Sequence, residues 1–323
     1  MINNKIKLIL KILITLFLFY FLFKKIDSKN FFTIIKHINI YYFFITLLIF
    51  LIMQILHTIR WQILLRSKNI KNIQFLKLLK YHFIGLFFQT FLPSAIGGDF
   101  VKAYKLSKDS SQKMEAYSSV IFARLLGLIV FFAAGIIILI LNINLFFSFP
   151  QHIQLIIISI YTALFIGILL IFSKKIYLLF HDLLNFKLWK KFWTKAIEFQ
   201  NSLNEYKNRK NAIIISFFIT FFIYLGMVYS NMTIFKTINK NIPISAFYIY
   251  TPLIYIITLI PITLNGSGIR EYSLYLFLYD FSITKEQILS YSIILYGGVI
   301  IVSLFGGIFY LIDILSNKKG VNK

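Results

Sequence analysis

The sequence predicts an all-α polytopic membrane protein with about six full spans and two re-entrant broken helical hairpins in an inverted-repeat arrangement. Three observations lead there. Hydrophobic residues make up 59% of the 323 positions and the mean hydropathy is +0.79, well above a soluble domain. Runs such as Ile40–Leu56, Val120–Leu141 and Ile153–Phe172 approach or exceed the roughly 18 to 20 residues that a helix needs to cross a bilayer, and they lack the alternation of barrel strands. Finally, two otherwise apolar stretches carry prolines, glycines and charge. They are "FLPSAIGGDFVKAY" (91–104) and "LIPITLNGSGIREYSLY" (259–275).

The first run, Ile6–Phe23, is too long for a usual signal-peptide core. No alanine precedes Ala95, so an A-x-A cleavage site is missing, and the run reads as an uncleaved span. Ile40–Leu56 is the second span. The following stretch, Ile59–Lys80, carries Arg60, Arg66, Lys68, Lys71, Lys77 and Lys80, which places it on the cytoplasmic side by the positive-inside rule. Within it, Lys71, Gln74, Lys77 and Lys80 recur every third residue, giving a polar stripe at the interface. Val120–Leu141 is introduced by Lys102, Lys105, Lys108 and Lys113, so the region from Tyr81 to Leu106 enters from the cytoplasm and returns to it. Split at Pro93–Gly98, it becomes two short arms.

The loop Asn142–His152 has no Lys or Arg and is expected outside. Ile153–Phe172 returns the chain to the basic segment 174–210, which is expected in the cytoplasm. Its Lys, Trp and Phe mixture around Trp189 and Trp193 suits an interfacial helix on anionic lipid or an ordinary basic loop. Ile213–Thr233 leads outward. Ile244–Ile260 enters from outside, is broken at Pro261–Gly268, and leaves as Ile269–Tyr279. Gln287–Ile312 closes the set. The whole chain, 1–323, reads as one membrane domain whose halves, about 1–141 and 153–312, are joined by the short external loop.

Charge and composition narrow the chemistry. The net charge of +23 lies between apolar runs, so it reflects topology and contact with anionic headgroups; no nucleic-acid partner is expected. Cysteine is absent, which removes disulfides and thiolate metal sites. The histidines His37, His57, His82, His152 and His181 lack H-E-x-x-H spacing and read as interfacial or loop residues. No cofactor or metal site is expected, and no nucleophile–base constellation suggests a catalytic residue. "GSGIRE" starts like a dinucleotide-binding pattern but lacks its third glycine and its strand context.

Among only eleven acids, Asp99 and Glu271 each follow a glycine-rich break inside a membrane segment. An ionisable group at that depth costs about 2.5–3.5 kcal/mol, which makes it a candidate for function. Pro93, Gly97 and Gly98, and then Pro261, Gly266 and Gly268, are the expected helix breaks. Each break leaves a new helix N-terminus whose free N–H groups favour an anion such as a lipid phosphate. Lys102 would strengthen the first site and Arg270 the second. Arg124 lies within reach of the first, and Asp99 would cap its own helix or pair with Lys102 or Arg124. Arg270 and Glu271, adjacent on a helix, are expected to need separate partners. The plainer alternative for Pro93–Gly98 is a kink packed closely through small residues.

The ordered set "PSAIGGDFVKAY", "RLLGL" and "PITLNGSGIRE" resembles the flippase-like family, the transmembrane region of lysylphosphatidylglycerol synthases and their stand-alone relatives. The matching positions are Pro93, Gly97, Gly98, Asp99, Arg124, Pro261, Gly266, Gly268, Arg270 and Glu271. Ala123 stands where an acid is expected before the arginine, which frees Arg124 for Asp99 or a ligand. The resemblance implies a multi-pass domain of the bacterial inner membrane that moves a phospholipid or lipid-linked headgroup between leaflets. No aminoacyltransferase domain follows, so the chain is not expected to make lysyl-lipid. The substrate-binding candidates are Asp99, Lys102, Arg124, Arg270 and Glu271. The expected partners are membrane lipids, anionic or phosphate-bearing, with a homo-oligomer or a soluble enzyme as further possibilities. Two other functions fit: a membrane-embedded enzyme acting on a lipid phosphate or lipid-linked sugar, and a non-catalytic subunit of a soluble enzyme.

Overall fold

Asp27 opens the first described helix by accepting hydrogen bonds from the backbone N–H of Lys29 and Asn30, and Asn39 opens the second by accepting from Tyr41. The computed structural model describes residues 27–70, 73–91, 97–110, 112–148, 151–172, 201–259, 263, 266–278 and 281–321. Among them the chain runs through α1 (Ser28–Lys36), α2 (Ile40–Ser67), α3 (Phe75–Phe91), α4 (Gly97–Asp109), α5 (Lys113–Leu141), α6 (Ile143–Ser148) and α7 (Gln151–Phe172). After a 3-10 turn (Glu205–Asn208) come α8 (Lys210–Thr237), α9 (Ile244–Leu259), α10 (Ile269–Phe277) and α11 (Lys285–Val321).

The expectation of six spans plus two re-entrant hairpins is corrected here. Among the described residues four helices are long and apolar enough to cross a membrane: α2, α5, α8 and the Lys285–Leu315 part of α11. The higher count added Ile6–Phe23 and Ile153–Phe172 to these four as crossings. The run Ile6–Phe23 lies outside the described residues, as do Pro93, Pro261 and most of segment 174–210. Ile244–Leu259, within the expected arm Ile244–Ile260, is the 16-residue α9, about 24 Å long at 1.5 Å per residue, short of the roughly 30 Å hydrocarbon layer. Ile153–Phe172 is helical within α7, but the side chains there are described only in part. The inverted repeat was read from two broken segments entering from opposite faces, and it is set aside with the span assignment that gave them those faces. What stands is an all-α, multi-pass membrane protein whose long helices present apolar side chains such as Phe44, Phe218, Ile301 and Leu311 outward.

Helices α2 and α8 pack along most of their length. Thr46 and Thr233 share a hydrogen bond of 2.8 Å between them, and Gly226 lets Met53 lie against the α8 backbone. Helix α3 is held on two sides. A Cβ on Gly85 would sit 2.7 Å from the Gly98 carbonyl of α4, and one on Gly306 of α11 would collide with the Phe83 carbonyl. Such backbone approach admits no side chain. Asp313 on α11 then binds Lys105 of α4 at 2.8 Å and also Lys80 of α3, pinning the three helices together. Helices α5, α8 and α9 pack around Phe131, Tyr224 and Phe247 in the largest apolar cluster.

Candidate functional site

The start of α4 places Asp99 in its first turn. Its carboxylate accepts from Lys102 at 2.7 Å, one turn along the same helix, and from Arg124 of α5 at 2.8 Å. Asp99 therefore pairs with both of the cations proposed for it. Gly98 works differently from its expected role as a source of unusual dihedrals. Its φ is ordinary for a helix, and its missing side chain is what allows α4 to close on Gly85 and Gln89. Gly98 is thus packed closely as the alternative reading expected, while 92–96 lie outside the described residues.

The second cluster is built at the start of α10. Gly266 and Gly268 have φ of 76° and 83°, the left-handed region that favours glycine. Glu271 folds back, and its Oε2 accepts from the Gly268 N–H at 2.6 Å. Its Oε1 accepts from Arg270 at 2.7 and 3.1 Å and from the Ser292 hydroxyl at 2.7 Å. The expectation of separate partners for Arg270 and Glu271 is overturned. The N-terminal cap draws the carboxylate back along the helix, into reach of the neighbouring guanidinium. The guanidinium also lies 4.4 Å from the centre of the Tyr296 ring, and the Tyr296 hydroxyl is bonded to Ser267. Glu271 is only 1% exposed. Each helix start thus already holds a carboxylate, supplied by the chain, near its positive end.

The two clusters meet. A cavity of about 420 Å³ is lined by Asp99, Lys102, Arg124 and Arg270, with Gly98 in its wall. Glu271 lies behind Arg270 and is not part of the lining. A second cavity of about 220 Å³ adjoins it, and Arg270, Tyr255, Thr258 and Leu295 belong to both walls. The first cavity carries charged and polar groups in its lining, among them Asp99, Lys102, Arg124 and Arg270. The second is lined chiefly by apolar groups such as Phe50, Met53, Leu86 and Val302.

Several lining residues escaped the sequence reading. His57 and His82 were assigned to interfaces or loops; both line the cavity, with their rings stacked at 5.8 Å. His82 contacts Gln54 at 2.9 Å, and His57 contacts Arg60 at 3.1 Å. Arg60 was counted only as a topology-setting charge, yet it is 7% exposed and bound to Thr220 of α8 at 3.0 Å. The available signal was spacing: Gln54, His57 and Arg60 follow one another at i, i+3, i+6 on α2 and share one helix face. His82 and Gln89 repeat that logic on α3, two turns apart. Among the described residues no group of three metal-ligating side chains is gathered.

Comparison with known proteins now adds to this geometry. The chain matches no curated protein and no solved structure. One family model, described as the lysylphosphatidylglycerol synthase TM region, matches residues 8–306 and so takes in both clusters and every cavity residue named above. With most of its length covered, this chain belongs to the family of lysylphosphatidylglycerol synthase transmembrane regions.

Proposed function

We propose that the protein moves a phosphate-bearing lipid headgroup between leaflets, through the cavity that joins the two clusters. The observation that carries this reading is the convergence of Asp99, Lys102, Arg124 and Arg270 on one cavity, although they come from stretches of sequence some 170 residues apart. Buried charge is retained in a membrane protein where it meets a polar cargo or a coupling ion. Arg270 stands on the boundary between the charged cavity and the apolar one. That is a fitting position for a group that holds phosphate while the acyl chains remain on apolar wall. Glu271, Ser292 and Tyr296 position Arg270, and Asp99 balances Lys102 and Arg124 until a lipid anion replaces it as their partner.

The test uses purified protein in proteoliposomes with a fluorescent phospholipid and a membrane-impermeant quencher. Wild type should make the inner-leaflet label accessible, and Arg270→Ala and Asp99→Asn should reduce exchange to the rate of protein-free vesicles. Wild-type rates in both variants would refute the proposal. Chemical turnover of the lipid in the same vesicles would identify an enzyme in place of a carrier.

A further inference from the structure

We infer that a groove between α2 and α8 is a phospholipid site, with the phosphate at Lys236 and one acyl chain laid along the groove as far as Met53. The inference rests on the lipid-carrier reading and deepens it by naming where a lipid is held beside the cavities.

The groove encloses about 370 Å³ between two of the helices long and apolar enough to cross a membrane. Ile45, Ile49 and Ile52 line it from α2, and Phe222, Gly226 and Tyr229 from α8. Spacings of three and four put each set on one helix face, so the groove follows the helices through the depth of the membrane. Ile52, Phe222 and Tyr229 are exposed, and on a membrane-spanning surface that exposure is to acyl chains.

Charge and length select a phospholipid as the occupant. Tyr42 lines the groove near the start of α2, and Lys236 Nζ lies 5.3 Å from the centre of its ring. Lys236 stands in the last turn of α8, so a cation marks this end of an otherwise apolar channel. Met53, near the middle of the 28-residue α2, belongs to the walls of both the groove and the second cavity. A Cβ on Gly226 would lie 2.9 Å from Met53 Cγ, so the glycine leaves room for that side chain. From Tyr42 to Met53 the helix rises about 16 Å at 1.5 Å per residue, close to half of the roughly 30 Å hydrocarbon layer. An acyl chain hung from a phosphate at Lys236 therefore ends beside Met53, against the wall of the second cavity. Methionine is unbranched and flexible, which suits a side chain that must yield to a lipid tail.

The experiment is photolabelling of the full chain in phosphatidylcholine vesicles doped with phosphatidylglycerol that carries a diazirine at the end of one acyl chain, with adducts located by mass spectrometry. Wild type should be labelled at Met53, although that residue is only 9% exposed. Lys236→Gln should lower labelling of Met53 about 3-fold or more, because it removes the charge that holds the phosphate. Gly226→Leu fills the groove and should abolish it. In both variants Phe218 and Leu311, exposed on the outer surface, should be labelled as in wild type, which separates the site from general contact with the bilayer. Absence of label at Met53, or equal labelling of Met53 in wild type and Lys236→Gln, overturns the inference whether or not Gly226→Leu folds. The chain has no cysteine of its own, so Ile52→Cys tests the rival occupant: disulfide-linked dimers without label at Met53 would assign the groove to a second copy. Labelling reads occupancy and not exchange. Unimpaired lipid exchange by Arg270→Ala would thus remove the carrier reading while leaving the lipid site intact.

Discussion

Replacing Glu271 by Gln tests the architecture of the second cluster with one atom changed. The carboxylate faces three donors: the Gly268 N–H, the Arg270 guanidinium and the Ser292 hydroxyl. A glutamine can offer one oxygen to these, and its NH2 must turn toward a donor. Arg270, with 16% of its side chain exposed, would lose the only carboxylate with which it is paired among the described residues. Breaking a buried ion pair by removing one partner typically costs about 3–5 kcal/mol, and the disturbed cap about 1 kcal/mol more. Most of that should appear as lost stability, because a side chain 1% exposed has little access to compensating water. The assay is denaturant unfolding in mixed micelles for wild type, both single variants and the pair Arg270→Gln with Glu271→Gln. Glu271→Gln should lose roughly 3 kcal/mol or more, and the double variant should lose clearly less than the sum of the singles. A loss below about 1 kcal/mol, or strict additivity, would refute the claim that Glu271 exists to hold Arg270.

Two further outcomes follow from the same geometry. Asp99→Asn leaves Lys102 and Arg124 facing each other without their shared carboxylate; it should lower stability by about 1–3 kcal/mol, less than Glu271→Gln because Asp99 retains 19% side-chain exposure, and unfolding in the same micelles checks this. Gly98→Ala sets a methyl against the Gly85 carbonyl and 2.6 Å from Gln89 Cβ; spreading α3 from α4 should cost about 1–3 kcal/mol in the same assay, and a neutral result would deny the close approach.

The sequence conveys the membrane class directly, because length and apolarity of a run are what a bilayer demands. It also points to Asp99, Lys102, Arg124 and Arg270, since charge in apolar surroundings is conspicuous. It fails on the number of spans. A run such as Ile153–Phe172 was counted as a crossing on length and apolarity alone, and it is not among the four helices of the described residues that qualify. Glu271 was legible as a special residue and its pairing with Arg270 was not, because a carboxylate that returns to its own N-terminus reaches its neighbour only through backbone geometry. The histidines were misread for another reason. His57 and His82 become neighbours only when α2 packs on α3, a contact that no spacing within either helix encodes.

The most direct test of the central claim, that the cavity is the route of the headgroup, leaves every charge untouched. Leu295 lines both cavities, and Leu295→Trp sets a larger side chain in the wall they share. In proteoliposomes of equal protein content this variant should exchange labelled phospholipid at the rate of empty vesicles, while its melting temperature stays near wild type. Exchange at the wild-type rate by the folded variant would contradict the account.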